Sequence, residues 1–343
     1  MQLDLTLSII TSRKVSQINF LLDSLECLKF TVKKIIIIYS PNAILNEDFP
    51  ENIKRIENLE LISYDGGGKQ PAMRNLALSA CKTPYIWFVD DDVRIPNFTI
   101  KKLRKLILLF DLSPELAFAS GKIIEKRKKN LKKLISKPLI HPLFGLNFPF
   151  GVNPEFLIRK GYRSLNFNDQ IFPYISFPQG TSMLFRTSSL KSIGGFNVDL
   201  YSGYASYEDS EPGLLLTKFN YFGIYTDLIT VHHYKLPRVN SVGRESISSK
   251  YLIGLVRNYR RTLVFNKIPN KFSFTMFYFS HSFYIFIKIF YSLFQSFTFS
   301  KVIMIIDILL KLLVEIFFGY LIDLYKLISK KNYRSEFVDK TKV

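Results

Sequence analysis

The run Ile35–Tyr39, which contains four consecutive isoleucines, constrains the fold of this chain more than any other feature. A short run of β-branched residues predicts an interior strand. Leu5–Ile10 is an earlier apolar run, and residues 15–30 between the two carry apolar side chains at helical spacing. A weaker strand is predicted at Ile56–Ser63, followed by a helix over about Pro71–Ala80. Strands that alternate with helices indicate parallel β-α-β units, so we predict an α/β sheet.

Three adjacent carboxylates, Asp90–Asp92, follow directly after the apolar strand Tyr85–Val89. Open α/β sheets bind ligands just beyond the carboxyl ends of their strands. Neighbouring acids repel one another, so all three stay ionised together only where a cation offsets their charge. Carboxylate oxygens suit Mg²⁺ or Mn²⁺, which are often shared with substrate phosphates. The alternative is a solvated acidic turn without a ligand, and the triplet alone does not decide between the two.

Beyond the triplet the periodic pattern continues and then weakens. Ile100–Phe110 predicts an amphipathic helix, and Ala117–Ser120 predicts a short strand. Between about residues 122 and 176 the periodicity is lost, and Pro, Gly, Asn and Phe become frequent. We interpret this stretch as a loop-rich insertion over the active face, after which an ordered pattern resumes at Phe177.

The charge of the chain indicates an anionic partner. The 343 residues carry a formal net charge of +19, and both nucleic acid and an anionic membrane surface attract such a chain. The only two cysteines, Cys27 and Cys81, lack metal-ligand spacing and form no disulfide framework, which favours a reducing compartment. The first residues do not have the pattern of a signal peptide, so we expect the α/β part to lie in the cytoplasm.

The C-terminal quarter predicts membrane association. From Lys250 onward there are 15 Lys and Arg residues against 5 Asp and Glu. Phe272–Phe297 is long enough to span a bilayer, although its polar residues share one helical face, which also permits an in-plane helix. Lys301–Ile328 predicts another helix, and basic residues flank both ends, which favours either no crossing or a two-helix hairpin. A soluble helical pair packed on the rest of the chain is the alternative.

Several motifs between Leu5 and Tyr234 resemble, in their order and spacing, the family-2 glycosyltransferases of the GT-A fold. The matching segments are Ile9–Arg13 after the first strand, Asp65 with Arg74 and Asn75 before the acid strand, Phe88–Asp92 as the family's DXD element, and Gly194–Phe196 and Glu208-Asp209 as its acceptor-side motifs. Each match is weak alone, but the ordered set is specific.

The resemblance implies a GT-A nucleotide-diphospho-sugar transferase fold of the bacterial membrane-associated type, with a mixed, mostly parallel sheet flanked by helices. It implies that a sugar moves with inversion from a nucleotide-sugar donor to an acceptor hydroxyl, with Mn²⁺ or Mg²⁺ as cofactor. We predict a catalytic domain over residues 1–240, a basic and hydrophobic helical membrane-association region over 241–335, and a tail over 336–343. The expected acceptor is a lipid-linked glycan or polysaccharide precursor at the cytoplasmic face of the cell membrane, and no nucleic acid is expected as a partner.

Inverting transfer needs a general base beside the acceptor hydroxyl and a positive charge on the departing diphosphate. The resemblance implies Asp209 as the base, with Glu208 beside it. Both precede an apolar helical stretch at 214–219, so stabilisation of a helix N-terminus is an alternative role for Asp209. The metal ligands that the resemblance implies are Asp90, Asp92, His232 and His233, and a buried core histidine is the alternative for the last two. Asp91 is expected to point away from the metal, because neighbours on an extended segment alternate.

The resemblance also implies residues that bind the donor and the acceptor. Arginine suits bidentate contact with a diphosphate, and glycines let the backbone approach it closely. The second strand ends in Tyr39–Asn42 rather than in the acid that reads the nucleobase in this family, so Asp65 is expected to take part of that role. The donor-binding residues implied are Thr11, Ser12, Arg13, Asp65, Gly68, Arg74, Asn75, Asp90 and Asp91, and the acceptor-side residues are Gly180, Gly195 and Phe196.

Two other functions are compatible with parts of the sequence. A sugar-nucleotide pyrophosphorylase of related fold would have a glycine-rich phosphate loop after the first strand, whereas Thr11–Lys14 contains no glycine. A non-catalytic basic membrane-binding protein would explain the net charge but not the acids at 90–92 and 208–209. Hydrolysis of a nucleotide-sugar that depends on Mn²⁺ separates an enzyme from a binding protein.

Overall fold

The computed structural model contains a mixed α/β sheet with helices on both faces. The structure describes residues 2–41, 49–66, 69–125, 164–167, 170–175, 177–199, 208–234 and 236, and single positions or short stretches at 254, 257, 258, 261, 306–311, 313–315, 318, 319, 321 and 322. Every structural statement below concerns these residues.

Ten strands and six α-helices have defined bounds within the described residues. The strands are β1 (Leu3–Thr11), β2 (Val32–Tyr39), β3 (Leu59–Ser63), β4 (Tyr85–Val89), β5 (Val93–Arg94), β6 (Leu116–Glu125), β7 (Ser164–Phe167), β8 (Gln170–Ile175), β9 (Ser182–Arg186) and β10 (Phe222–His233). The helices are α1 (Asn19–Leu28), α2 (Glu51–Lys54), α3 (Gln70–Ala80), α4 (Asn97–Asp111), α5 (Thr187–Ser192) and α6 (Ser210–Lys218), with a 3-10 turn at Val15–Gln17 before α1.

The strands follow the order β3-β2-β1-β4-β9-β6-β10-β8-β7, and the short β5 pairs with β10 outside this path. Strands β3, β2, β1 and β4 are parallel, as are β6 and β10. Strand β9 runs antiparallel to both β4 and β6, so it joins the two parallel groups into one mixed sheet. The predicted α/β class with a mixed sheet is therefore confirmed.

The isoleucine run shows why this sheet needs helices on both faces. Ile35 and Ile37 pack in one hydrophobic cluster with side chains of α1 and α4, while Ile36 and Ile38 pack in a second cluster with side chains of α3. All four are fully buried. Because successive strand residues point to opposite faces, an unbroken apolar run requires an apolar layer on each side.

The structure differs from the sequence prediction around the stretch predicted as a loop-rich insertion. Strand β6 continues to Glu125, because its last residues pair with the end of β10. Near the other end, β7 and β8 form an antiparallel pair, and β8 also pairs with β10. The predicted insertion is thus bounded by strands of the main sheet, and its residues 126–163 lie outside the described residues.

Little of the predicted membrane-association region is described. Helical positions occur between 254 and 261 and between 306 and 322, whereas Phe272–Phe297 lies outside the described residues. Among the residues that the structure describes, no helix combines the length and the apolar character needed to cross a membrane.

Candidate active site

The candidate site residues lie at the edge of the sheet where its parallel strands end. Strands β1, β4, β6 and β10 all point the same way and end at this edge, at Thr11, Val89, Glu125 and His233. Strand β9 begins there, at Ser182, because it runs antiparallel to β4. The acid triplet directly follows β4, so the topology places it where open α/β sheets bind their ligands.

Asp90, Asp92 and His233 form a group that could hold a metal ion. One ligand atom from each lies within 4.8 Å of the others, and Asp92 and His233 are buried. His233 Nε2 lies 3.0 Å from Asp92 Oδ1, and behind the imidazole Glu125 Oε1 lies 4.0 Å from Nδ1. Two carboxylates and one imidazole make a donor set that suits Mn²⁺ and is acceptable to Mg²⁺. A carboxylate behind a ligating histidine is a common way to orient its ring. The residues present therefore fit the predicted divalent cation.

Arg13 connects the end of β1 to the acid triplet. Its Nε donates to Asp91 Oδ1 at 2.9 Å, and its Nη2 donates to Asp92 Oδ2 at 3.2 Å and to the Leu236 carbonyl at 3.0 Å. Thr11 Oγ1 donates to the other oxygen of Asp91 at 2.8 Å. Asp91 thus lies outside the metal group, as predicted, but the reason differs: residues 91 and 92 form a turn and not an extended segment, and the Asp91 carboxylate is turned toward β1.

Burial and the neighbouring charges give the two acids different protonation behaviour. Burial raises the pKa of Asp91 to about 6, although the Arg13 guanidinium lowers it. Burial also acts to raise the pKa of Asp92, but the contacts with His233 and Arg13 outweigh it and hold that pKa below its ordinary value. Asp92 is therefore ionised at neutral pH, as a metal ligand must be.

Arg74 joins the metal group to the second acidic pair. Its Nη1 donates to Glu208 Oε1 at 2.9 Å, and its Nη2 lies 3.9 Å from Asp90 Oδ1. The guanidinium also lies over the ring of Phe196, 5.4 Å from the ring centroid. Burial acts to lower the pKa of Arg74, but the carboxylates of Glu208 and Asp90 outweigh it and raise that pKa. The two acidic groups, over a hundred residues apart in the chain, therefore share one site.

Glu208 is buried beside a second carboxylate. Burial raises its pKa to about 7, and the charge of Asp209 adds to this, against the lowering effect of Arg74. In an unfolded chain the same carboxyl group titrates near 4.5. The folded state therefore holds the proton over a pH range in which the unfolded state has lost it.

Replacing Glu208 by Gln should change how stability depends on pH. Because the folded pKa lies above the unfolded one, the native chain loses stability as the pH rises from about 4.5 to about 7, and the loss is then complete. Glu208→Gln removes this titration. The free energy of unfolding of the variant, relative to that of the native chain, should therefore be higher at pH 8 than at pH 5.5 by on the order of 2 kcal/mol. Urea unfolding at the two pH values measures this difference.

The matched control for this prediction is Glu57→Gln, at an exposed glutamate outside the site. Its difference from the native chain should not vary with pH. A Glu208→Gln difference that stays constant from pH 5.5 to 8 would contradict the raised pKa.

Asp209 is held by a backbone group and not by its helix. It is the N-cap residue of α6, yet its side chain makes no capping hydrogen bond. Instead the Gly180 N–H donates to Asp209 Oδ2 at 2.6 Å, and Ser210 Oγ donates to Oδ1 at 3.4 Å. This geometry disfavours the helix-capping role and aims the carboxylate at the segment before β9.

The predicted acceptor-side residues Gly195 and Phe196 lie beneath the site. Asn75 clamps them, since its Nδ2 donates to the Phe196 carbonyl at 2.7 Å and its Oδ1 accepts from the Phe196 N–H at 2.8 Å. Gly195 has a φ of +70°, and a Cβ there would lie 2.4 Å from Asn75 Oδ1. The turn therefore needs glycine for both reasons. Asn75 thus holds the backbone of Phe196, and the Phe196 ring packs against the Arg74 guanidinium.

The remaining predicted site residues have less contact with this group. His232 is half-buried in register with Arg94 of β5 and lies outside the metal group, because neighbouring residues of a strand point to opposite faces. Ser12 and Asp65 are exposed beyond the ends of β1 and β3. Gly68 lies outside the described residues.

Two participants were missed by sequence reasoning. Glu125 ends β6 beside His233, but the strand was predicted to stop at Ser120. The backbone of Leu236 contacts both Arg13 and Asp92, and its side chain carries no signal for that role. Extending the strand prediction to the next acidic residue would have found Glu125.

Comparison with known proteins supports the fold and leaves the family open. No protein-family model matches the sequence, and no curated protein matches it significantly. Among solved structures, S. aureus TarS 1-349 in complex with UDP-GlcNAc is similar with a TM-score of 0.57, 13% identity, and coverage of 92% of this chain and 82% of that chain.

A second similar structure is the mannosyltransferase PcManGT from Pyrobaculum calidifontis in complex with GDP-Man and Mn²⁺. It has a TM-score of 0.50, 12% identity, and coverage of 92% of this chain and 87% of that chain. At these identities the likeness concerns the fold, and the sheet matches the GT-A glycosyltransferase folds.

Proposed function

We propose that this chain is a metal-dependent, inverting glycosyltransferase of family-2 type, which moves a sugar from a nucleotide-sugar to an acceptor hydroxyl. The observation that carries the proposal is the shared site, in which Arg74 lies between Asp90 of the metal group and Glu208 of the second acidic pair. The likeness to folds solved with UDP-GlcNAc and with GDP-Man and Mn²⁺ supports it.

The donor side of the proposed reaction is built on the metal group. Asp90, Asp92 and His233 would hold Mn²⁺ or Mg²⁺, and the ion when bound supplies positive charge to the diphosphate that leaves. Arg13 keeps the Asp92 carboxylate in place through Oδ2, so Oδ1 remains toward His233. Thr11, Ser12 and Arg13 at the end of β1, with Asp65 beyond β3, are the proposed walls of the nucleoside site.

The acceptor side depends on Asp209. In an inverting transfer the acceptor oxygen attacks the anomeric carbon, the bond from that carbon to the diphosphate breaks, and the acceptor proton passes to a base. Gly180 fixes Asp209 Oδ2. The proposed base is the Asp209 carboxylate, and the neighbouring Glu208 orients Arg74 between base and diphosphate.

The proposed acceptor is a lipid-linked glycan or polysaccharide precursor at the cytoplasmic face of the cell membrane. The surplus of ten cationic residues from Lys250 onward supports this, because the cytoplasmic leaflet is anionic. A bacterial membrane-associated type of enzyme accounts for the acidic site and the basic C-terminal quarter together.

A thermal-shift screen tests the donor class directly. The full chain would be heated with UDP-, GDP-, ADP- and dTDP-sugars, each with and without Mn²⁺. We expect one nucleotide class to raise the Tm, and to do so only with Mn²⁺, followed by slow hydrolysis of that sugar donor. Stabilisation by no nucleotide-sugar under either condition would contradict the proposal.

Replacing Gly180 by Ala should impair turnover and spare donor binding. A Cβ at this position would lie 2.8 Å from Asp209 Oδ2, closer than carbon and oxygen approach without a shift. We expect kcat to fall by at least about tenfold, in line with a displaced general base, while the nucleotide-sugar Kd stays near native.

Thr181→Ala is the control for this prediction, because it changes the same segment without adding an atom against Asp209. It should keep most of the native kcat. Equal losses in the two variants would show that the segment tolerates no change and that the contact with Asp209 is not the cause.

A further inference from the structure

The C-terminal part of the chain contains helical positions that share one face turned toward protein. All described positions between 306 and 322 are helical. Ile308 and Gly319 are buried and Glu315 is half-buried, and these positions are seven and four residues apart, which places them on one face. We call this the inner face.

An ion pair fixes the inner face against another segment of the chain. Arg257 Nε and Nη2 donate to the two oxygens of Glu315 at 3.1 and 2.7 Å. The paired geometry is the strong, orienting form of an arginine–carboxylate contact. Asn258, next to Arg257, is fully buried. Glu315 therefore marks the side that packs on protein, whereas the Asp307–Lys311 ion pair, at 2.6 Å, lies on an exposed flank between the inner face and the opposite side.

The opposite side of the helix is apolar and exposed. The residues of this outer face are Ile306, Leu310, Leu313, Val314 and Leu321, with exposed fractions between 40% and 59%. Helical spacing sets Leu310 and Leu321 almost opposite Ile308 and Gly319. Exposed apolar residues that form a continuous face mark a surface for interaction.

The positive charge of this region indicates what binds to the outer face. With 15 basic and 5 acidic residues from Lys250 onward, two copies that met through their outer faces would bring two cationic regions together. An anionic lipid surface attracts the same charge. Basic residues at 326, 330, 331 and 334 follow the helix directly in sequence.

We propose that the outer face of the described helical positions between 306 and 322 lies in the headgroup region of an anionic bilayer, with the helix axis parallel to the surface. The two-sided character of the helix supports this orientation, because one face packs on protein while the other is apolar. The proposal rests on the membrane location in the proposed function and names the surface that makes the contact. It does not rest on sugar transfer itself, so a failure of vesicle binding and a failure of transfer are distinguishable.

Co-sedimentation with vesicles tests the proposal on the full chain. Vesicles of phosphatidylcholine alone and of phosphatidylcholine with about 30% phosphatidylglycerol would be compared at low and high salt. We expect binding to the anionic vesicles that salt weakens, and weaker binding to the neutral ones. The double variant Leu310→Gln with Leu321→Gln should lower the anionic-vesicle partition coefficient by about tenfold or more.

The matched control is Leu108→Gln with Leu112→Gln, which changes two exposed leucines at the C-terminal end of α4. It should bind vesicles like the native chain, and both variants should keep the native circular dichroism spectrum. Equal vesicle binding by native chain and outer-face variant would overturn the proposal, as would absence of native binding. A native dimer that the outer-face variant converts to monomer, with vesicle binding unchanged, would assign the face to self-association and overturn it too.

Discussion

Asp209→Asn is expected to abolish sugar transfer while nucleotide-sugar binding survives. The substitution keeps an oxygen that can accept the Gly180 N–H, so the segment before β9 should stay in place. It removes the proton acceptor, and loss of a positioned general base costs about 10²- to 10⁴-fold in rate. Single-turnover transfer to acceptor, measured beside the donor Kd, separates chemistry from binding.

Asp4→Asn provides the same change at an exposed aspartate near the start of β1, at the opposite end of that strand from the site. It should leave both transfer and donor affinity near native. Native turnover by Asp209→Asn would refute its role as the base. The role of Asp209 would then be structural, as the acceptor of the Gly180 N–H.

Asp92→Asn should remove the response to divalent metal. Asp92 belongs to the metal group and is ionised at neutral pH, with His233 on one oxygen and Arg13 on the other. Asparagine keeps the shape of the side chain but not its charge. Arg13 and a bound metal ion would therefore lose the negative charge that Asp92 supplies. Substitution of a residue that only orients a metal ligand lowers metal affinity by about 10- to 100-fold. Loss of the ligand itself should therefore lower the affinity by more than about 100-fold.

Mn²⁺ titration followed by calorimetry measures that loss without any need for turnover. Asp227→Asn is the control, since Asp227 lies on β10 and forms its ion pair with Lys102, away from the metal group. If Asp92→Asn binds Mn²⁺ like the native chain, the proposed metal site is wrong. A reduced Tm without metal in this variant alone would show that Asp92 also balances the buried charge of Arg13.

Strand and helix positions followed from the sequence wherever the pattern was local. The isoleucine run and the apolar strand before the triplet gave interior strands, because short β-branched runs have few other stable arrangements. The prediction was incomplete at β6, β7, β8 and β10. The last four residues of β6 include an exposed lysine and an exposed isoleucine, and the partner strand β10 is about a hundred residues away, so no local pattern indicated the pairing.

The sequence predicted which residues belong to the site but not which of them contact one another. The sequence placed carboxylates at 90–92 and at 208–209 and histidines at 232–233. Of the two histidines, the structure brings His233 into the metal group, since the direction of a strand residue depends on the register of its sheet. Arg74 was predicted as a donor-binding residue, and in the structure its guanidinium is occupied by Glu208.

By itself, the sequence determined the α/β class, the strand that ends in three acids, and the uneven distribution of positive charge. These follow from spacing and composition within short windows of the chain. Tertiary structure alone decided that Arg74 meets Glu208 across 134 positions and that Arg13 reaches Leu236 across 223. Such contacts depend on how ten strands order themselves in one sheet, and that order is set by packing between distant segments.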